Sequence, residues 1–199
     1  MLEQPKVLEG PWDLGCALDK HTRKSVCIGH NEQGHPVFET DRTPMGEALF
    51  QLKYRNDHSK ADAIAEMISK VILTDGTGAM RQSGLIVPMP ASTARPVQPV
   101  TLIATAVGAK VGIPVFDNVL QKAPNQPGAP ALKNIHDAEE KMAALEGRLS
   151  INDILTEGRW DAIIIDDLYD SGASMKSATN VLKSWRKIIN VFVVCCTWK

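Results

Sequence analysis

Two adjacent carboxylates, Asp166 and Asp167, follow the apolar run Ile163-Ile164-Ile165 and precede the small polar stretch Asp170-Ser171-Gly172-Ala173-Ser174. The β-branched run reads as a buried strand that stops at the acid pair. Beyond the loop, Met175, Ala178, Val181, Leu182 and Trp185 recur at helical spacing, giving one apolar face. Residues 171–174 therefore fall at a helix amino terminus, where N–H groups lack intrahelical acceptors and the helix dipole favours negative charge. Gly172 lets the backbone approach an anion closely, and the hydroxyls of Ser171 and Ser174 add donors. Two aspartates beside such a turn would repel a bare phosphate. They suit a sugar phosphate, whose hydroxyls or bound metal they could hold. The plainer alternative is an acidic strand end with Gly172 in an ordinary turn.

The elements that must position these groups follow from the pattern on either side. Residues 12–42 read as antiparallel strands at 12–19, 25–30 and 36–40, with Asn31-Glu32-Gln33-Gly34 as a turn. Helices are predicted near 44–55 and 59–72, the second with Ile64, Met67, Ile68 and Val71 on its core face. From about residue 84, strands and helices alternate: a strand at 85–88, a helix at 97–111, a strand at 114–116, then the acid-pair strand and its helix. That alternation predicts an α/β fold, a parallel-sheet core with helices on both faces. Ligands of such sheets lie beyond the carboxyl ends of the strands, where both polar loops fall. The expected division is residues 1–43 as an amino-terminal antiparallel β segment, a hood, and 44–199 as the core. Residues 123–130, rich in Pro, Asn, Gln and Gly, read as a mobile loop.

Composition sets the outer bounds. With 199 residues, the chain suffices for one well-buried α/β domain. A net charge of −1 and 5% aromatic residues argue against nucleic acid as a partner. No apolar run reaches the ~20 residues that span a bilayer. Met1-Leu2-Glu3-Gln4-Pro5-Lys6 lacks the charged-then-apolar design of a signal peptide, so the expectation is a cytoplasmic protein without an anchor. Cys16, Cys27, Cys195 and Cys196 show no Cys-x-x-Cys spacing and read as reduced structural thiols.

The strand, acid pair and residues 170–174 resemble the phosphoribosyl-pyrophosphate (PRPP) loop of type I phosphoribosyltransferases. By position, the resemblance implies that Asp166 and Asp167 face the ribose hydroxyls and their Mg²⁺ shell. It implies that Asp170, Ser171, Gly172, Ala173 and Ser174 wrap the 5′-phosphate. The run Leu85-Ile86-Val87-Pro88-Met89-Pro90-Ala91-Ser92-Thr93-Ala94-Arg95 is a strand entering a polar loop that ends in arginine. It looks like the family's pyrophosphate loop, implying that the amides of Ala91, Ser92, Thr93 and Ala94 and the Arg95 guanidinium hold the leaving group. A plain strand-to-helix connection with Arg95 in solvent is the alternative. Lys122 opens the segment 122–136, which resembles the family's flexible loop; read by itself, Lys122 is a solvated surface lysine. Within that family the chain most resembles the ComF-like orphan phosphoribosyltransferases, through Leu52-Lys53-Tyr54, Val87-Pro88-Met89-Pro90 and Lys122-Ala123-Pro124-Asn125-Gln126 in the same order. Two landmarks of those relatives are absent: the amino-terminal Cys-x-x-Cys module and the Arg-Gly-Phe-Asn-Gln stretch, replaced by Arg95-Pro96-Val97-Gln98-Pro99.

What the resemblance implies is transfer of a phosphoribosyl group from PRPP–Mg²⁺ to a nitrogenous acceptor, with release of pyrophosphate. Arg95 and Asp170 are the implied catalytic residues. Asp170 stands where many relatives carry threonine, and two roles stay open: managing a proton on a purine-type base, or ordering the phosphate loop as a cap. Homodimers are usual in the family. Two other classes remain: a sensor that binds PRPP or a nucleotide without turnover, and a competence-type accessory to single-stranded DNA.

Overall fold

The computed structural model describes residues 5–93, 95–124, 140, 144–145 and 147–199. Ala94 and most of the predicted loop at 123–130 lie outside them. A five-stranded sheet forms the centre, built from β1 (Lys6–Val7), β2 (Leu14–Lys20), β5 (Leu85–Pro88), β8 (Trp160–Tyr169) and β9 (Ile188–Trp198). Its order is β1-β2-β9-β8-β5. The pairs β2–β9, β9–β8 and β8–β5 are parallel, and only the short β1 runs antiparallel. Ile86 adds a parallel bridge to Val115, so the predicted strand at 114–116 survives as a single contact.

Helices cover both faces, as the alternation of elements predicts. On one face lie α1 (Pro44–Tyr54), α2 (Lys60–Leu73) and α3 (Pro99–Val111), packed over Ile86, Ile163, Ile165, Phe192 and Val194. On the other, α4 (Ala173–Lys183) packs Met175, Ala178 and Leu182 over Val87, Ile164, Val193 and Cys195. Ile163, Ile164 and Ile165 are all 0% exposed, each worth roughly 1.5–3 kcal/mol relative to exposure. Two further strands, β6 (Leu120–Lys122) and β7 (Leu149–Ile151), form an antiparallel pair at the side of the sheet.

Three expectations need correction. The first strand does not belong to an antiparallel amino-terminal set: β2 runs parallel to β9, from Leu14 opposite Phe192 to Lys20 opposite Trp198. Its Ala17 and Leu18 are buried on opposite faces, which suits a place inside a two-sided sheet. The division at residue 43 thus cuts through the core sheet, and within residues 5–43 the antiparallel element apart from that sheet is the hairpin β3 (Thr22–His30) and β4 (Pro36–Arg42). Second, β8 does not stop at the carboxylates. It pairs with β9 through Asp166, Leu168 and Tyr169, because β9 extends to Trp198 and offers backbone partners that far. Third, Lys122 itself is not loop: it ends β6, opposite Leu149, and most of the segment 122–136 lies outside the described residues.

One helix terminus matters most for the site. Thr43 caps α1, its Oγ1 accepting from Gly46 N at 3.0 Å, with Pro44 at the first helical position. Met45, Leu49 and Leu52 face the core, which leaves Lys53 of the last turn at the carboxyl end of the sheet. Gly46 lies against the His21 backbone, where a methyl would run into the His21 carbonyl. Gly46→Ala is expected to cost about 1–3 kcal/mol in urea denaturation, since α1 must shift to admit it. An unchanged midpoint would mean that α1 is less tightly seated than its packing indicates.

Candidate functional site

Side chains alternate across a strand, and this divides the acid pair. Asp166 shares the face of Ile164 and turns toward α4, whereas Asp167 shares the face of Ile163 and Ile165 and turns toward α1. Their surroundings differ accordingly. Asp167 Oδ2 meets Lys53 Nζ at 2.6 Å, the two side chains being 15% and 23% exposed. Asp166 has no ion pair among the described residues, and its Oδ1 accepts from the Asp167 backbone N at 2.8 Å. Burial, with the neighbouring Asp167 charge, raises the Asp166 pKa to about 7; Lys53 and Lys122 offset this in part. For Lys53, burial pulls downward, but the Asp167 carboxylate outweighs it and the pKa is raised. Behind the pair, Thr197 Oγ1 donates to Asp167 O at 3.0 Å and lies 3.0 Å from His21 Nδ1.

A cleft of about 240 Å³ opens over this strand end. Asp166, Asp167 and Ser174 form one wall; Ala91, Ser92, Thr93 and Arg95 form the other, with Lys53 and Lys122 between. The two loops, more than seventy positions apart in sequence, thus share one cavity because β5 and β8 are neighbours in parallel register. A smaller hollow of about 60 Å³ adjoins it, lined by Asp170, Ser171, Gly172 and Ala173 and sharing Asp166 and Ser174 with the cleft. Gly172 sits at φ +76°, and a Cβ there would lie 2.5 Å from the Tyr169 hydroxyl. Only glycine meets both conditions. Ser171 Oγ accepts from Ala173 N at 3.4 Å, and Asp170 Oδ1 lies 3.8 Å from Lys199 Nζ.

Two cations escaped the sequence reading. Lys53 was visible only as part of a landmark, and nothing in the sequence ties it to Asp167. Lys122, read as solvated, donates to Ser92 Oγ at 2.7 Å and so braces the loop at 91–93. Its only signal was positional, a lysine just before the stretch Ala123-Pro124-Asn125-Gln126. Arg95 lines the cleft and also places its guanidinium 5.7 Å from the Tyr54 ring centre.

No family model and no curated protein matches this chain. Among similar solved structures are phosphoribosyltransferases. The adenine phosphoribosyltransferase of Thermoanaerobacter pseudethanolicus aligns at 14% identity and a TM-score of 0.47, over 88% of this chain and 95% of that one. The enzyme of Trypanosoma brucei, solved with AMP, pyrophosphate and ribose-5-phosphate, aligns at 10% identity and a TM-score of 0.47, over 97% and 74%. A hypoxanthine phosphoribosyltransferase of Staphylococcus aureus aligns at 14% and 0.42, over 71% and 65%. Identities this low, with TM-scores under 0.5, assign no ligand to the cleft.

The raised Asp166 pKa has a thermodynamic consequence. The folded-state value lies above the ordinary 3.8, so its stabilising share is complete below about pH 4 and is lost as pH rises through about 7. Asp166→Asn is therefore expected to melt above wild type at pH 8, with the gap closing toward pH 4. Melting curves of both proteins across that range check it; a constant gap would show that folding does not raise the Asp166 pKa.

Proposed function

We propose that the cleft binds PRPP with Mg²⁺ and transfers its phosphoribosyl group to a nitrogenous acceptor. One observation carries the reading: the acid pair is set between a glycine turn at a helix amino terminus and a polar loop bearing Arg95, all bordering connected cavities. A sugar phosphate carrying a second anionic group matches that order of hydroxyl-binding acid, anion turn and anion loop.

The residues present fit a divalent cation. Asp166 is an enclosed carboxylate with no ion pair among the described residues. Magnesium is held by one or two carboxylates plus substrate oxygens and water rather than by a full protein cage. Bound there, Mg²⁺ would neutralise charge on the departing pyrophosphate. Asp166 and Asp167 would accept from the ribose 2′ and 3′ hydroxyls. Gly172, Ala173 and Ser174 would donate backbone N–H groups, with the Ser171 and Ser174 hydroxyls, to the 5′-phosphate. Ser92, Thr93, Arg95 and Lys122 would hold the pyrophosphate, together with the amide of Ala91; the Ala94 amide expected beside them lies outside the described residues. As the bond from C1′ to the pyrophosphate oxygen breaks, its electron pair leaves with pyrophosphate, and the acceptor nitrogen forms the new bond to C1′. Positive charge grows on the ribose ring, as in glycoside cleavage. The carboxylates beneath the ring are suited to that charge. Asp170, at the rim of the phosphate hollow, would order that loop or take the acceptor's proton.

The order of Leu52-Lys53-Tyr54, residues 87–90 and residues 122–126 supports reading the enzyme as one of the ComF-like orphan type. A second reading, a sensor that holds PRPP without turnover, is favoured by the engagement of Arg95 with Tyr54. Calorimetric titration of PRPP with and without Mg²⁺ tests the shared claim. Binding is expected to depend on the metal and to weaken at least about 100-fold in Asp166→Asn/Asp167→Asn, as for two lost charged contacts. No binding to wild type at millimolar PRPP would end both readings. Pyrophosphate release with any nitrogenous acceptor would separate the enzyme from the sensor.

A further inference from the structure

Lys53 is the residue whose place in the cleft the reading above does not use. Its Nζ is 2.6 Å from Asp167 Oδ2, at the bottom of the cleft rather than on open surface. The base of the side chain is fixed, because α1 is capped by Thr43 and packed through Met45, Leu49 and Leu52. The four-carbon stem is not. It has room on either side: Lys53 borders the main cleft with Ser92 and Arg95, and also a second pocket of about 370 Å³ with Asn56 and His58. An ammonium in this position is the direct charge partner of Asp167. It also stands where an incoming dication must come to use both carboxylates, and two cations sharing one carboxylate repel each other.

Pyrophosphate brings the complementary problem. It carries several negative charges into the wall formed by Ser92, Thr93 and Arg95, within the same cavity as the ammonium. A short swing of the lysine would solve both problems at once, Asp167 passing to the metal or ribose hydroxyls as the ammonium passes to phosphate oxygens. Resting on the function proposed above, we infer that Lys53 is the resident counter-ion of Asp167 in the empty site and a pyrophosphate-binding residue in the filled one. A purely structural tie between α1 and β8 would make no such exchange.

The two roles have opposite signatures, and each half of the ligand can be used alone as a probe. Calorimetry with Mg²⁺ alone and with inorganic pyrophosphate alone is run on wild type, Lys53→Met, Lys53→Arg and Asp167→Asn, with melting curves beside each. Lys53→Met is expected to bind Mg²⁺ several-fold more tightly, the competing cation being gone, and pyrophosphate roughly tenfold more weakly. Lys53→Arg should recover pyrophosphate affinity. Asp167→Asn should bind pyrophosphate more tightly than wild type, because its ammonium is released; this arm holds even if Lys53→Met fails to fold. Both affinities falling together in Lys53→Met, both staying unchanged, or weaker pyrophosphate binding by Asp167→Asn would overturn the exchange. Wild type that binds PRPP while Lys53→Met behaves identically removes this inference alone. Wild type that binds neither PRPP nor pyrophosphate removes the function beneath it as well.

Discussion

The pairing of β8 with β9 is the constraint on which the rest of the structure depends. Both strands are buried on both faces, so apolar alternation alone cannot set their register. Polar groups at the two ends do. At the amino end, Asp161 Oδ1 accepts from Asn190 N at 3.1 Å and Nδ2 at 2.9 Å, and Asp13 Oδ2 accepts from Val191 N at 2.8 Å. At the carboxyl end, Thr197 Oγ1 donates to Asp167 O. A slip of one residue would exchange the faces of Asp166 and Asp167, turning one away from α1 and the other from α4. The site would lose its two-sided design while the apolar core changed little.

That design concentrates charge where stability would not. Two neighbouring carboxylates at a half-buried strand end repel each other, and among the described residues only one of them has an ion pair. The other keeps a proton affinity far above its kind. A cationic or hydroxyl-bearing ligand of the kind proposed above would relieve that strain.

Much of this was legible from local pattern. The strand at 85–88, the helices over α1, α2 and α4, and the glycine turn all follow from periodicity within a few residues of themselves. The Asn31 turn was equally local, its Oδ1 accepting from Gln33 N and His35 N at 3.0 and 2.9 Å. What escaped were relations across long sequence distances. Lys53 and Asp167 are joined by α1's placement on the sheet, which no spacing encodes. The place of β2 was hidden because Cys16-Ala17-Leu18 is too short an apolar run to announce a strand buried on both faces. The extent of β8 was hidden because its last residues are polar and its partner strand decides where pairing ends.

The position of β9 within the sheet also shapes how the chain reaches this state. Leu14 must find Phe192, and every parallel contact of β2 spans nearly the whole sequence between them. On a ribosome, β2 emerges early and stays without its neighbour until β9 has followed, whereas the hairpin and α1–α3 can settle among themselves. Closing so long a loop is entropically slow, and topologies dominated by such contacts fold late and cooperatively. The acid pair borders β9, whose Thr197 donates to the Asp167 carbonyl, so its surroundings are complete only once that strand is in place.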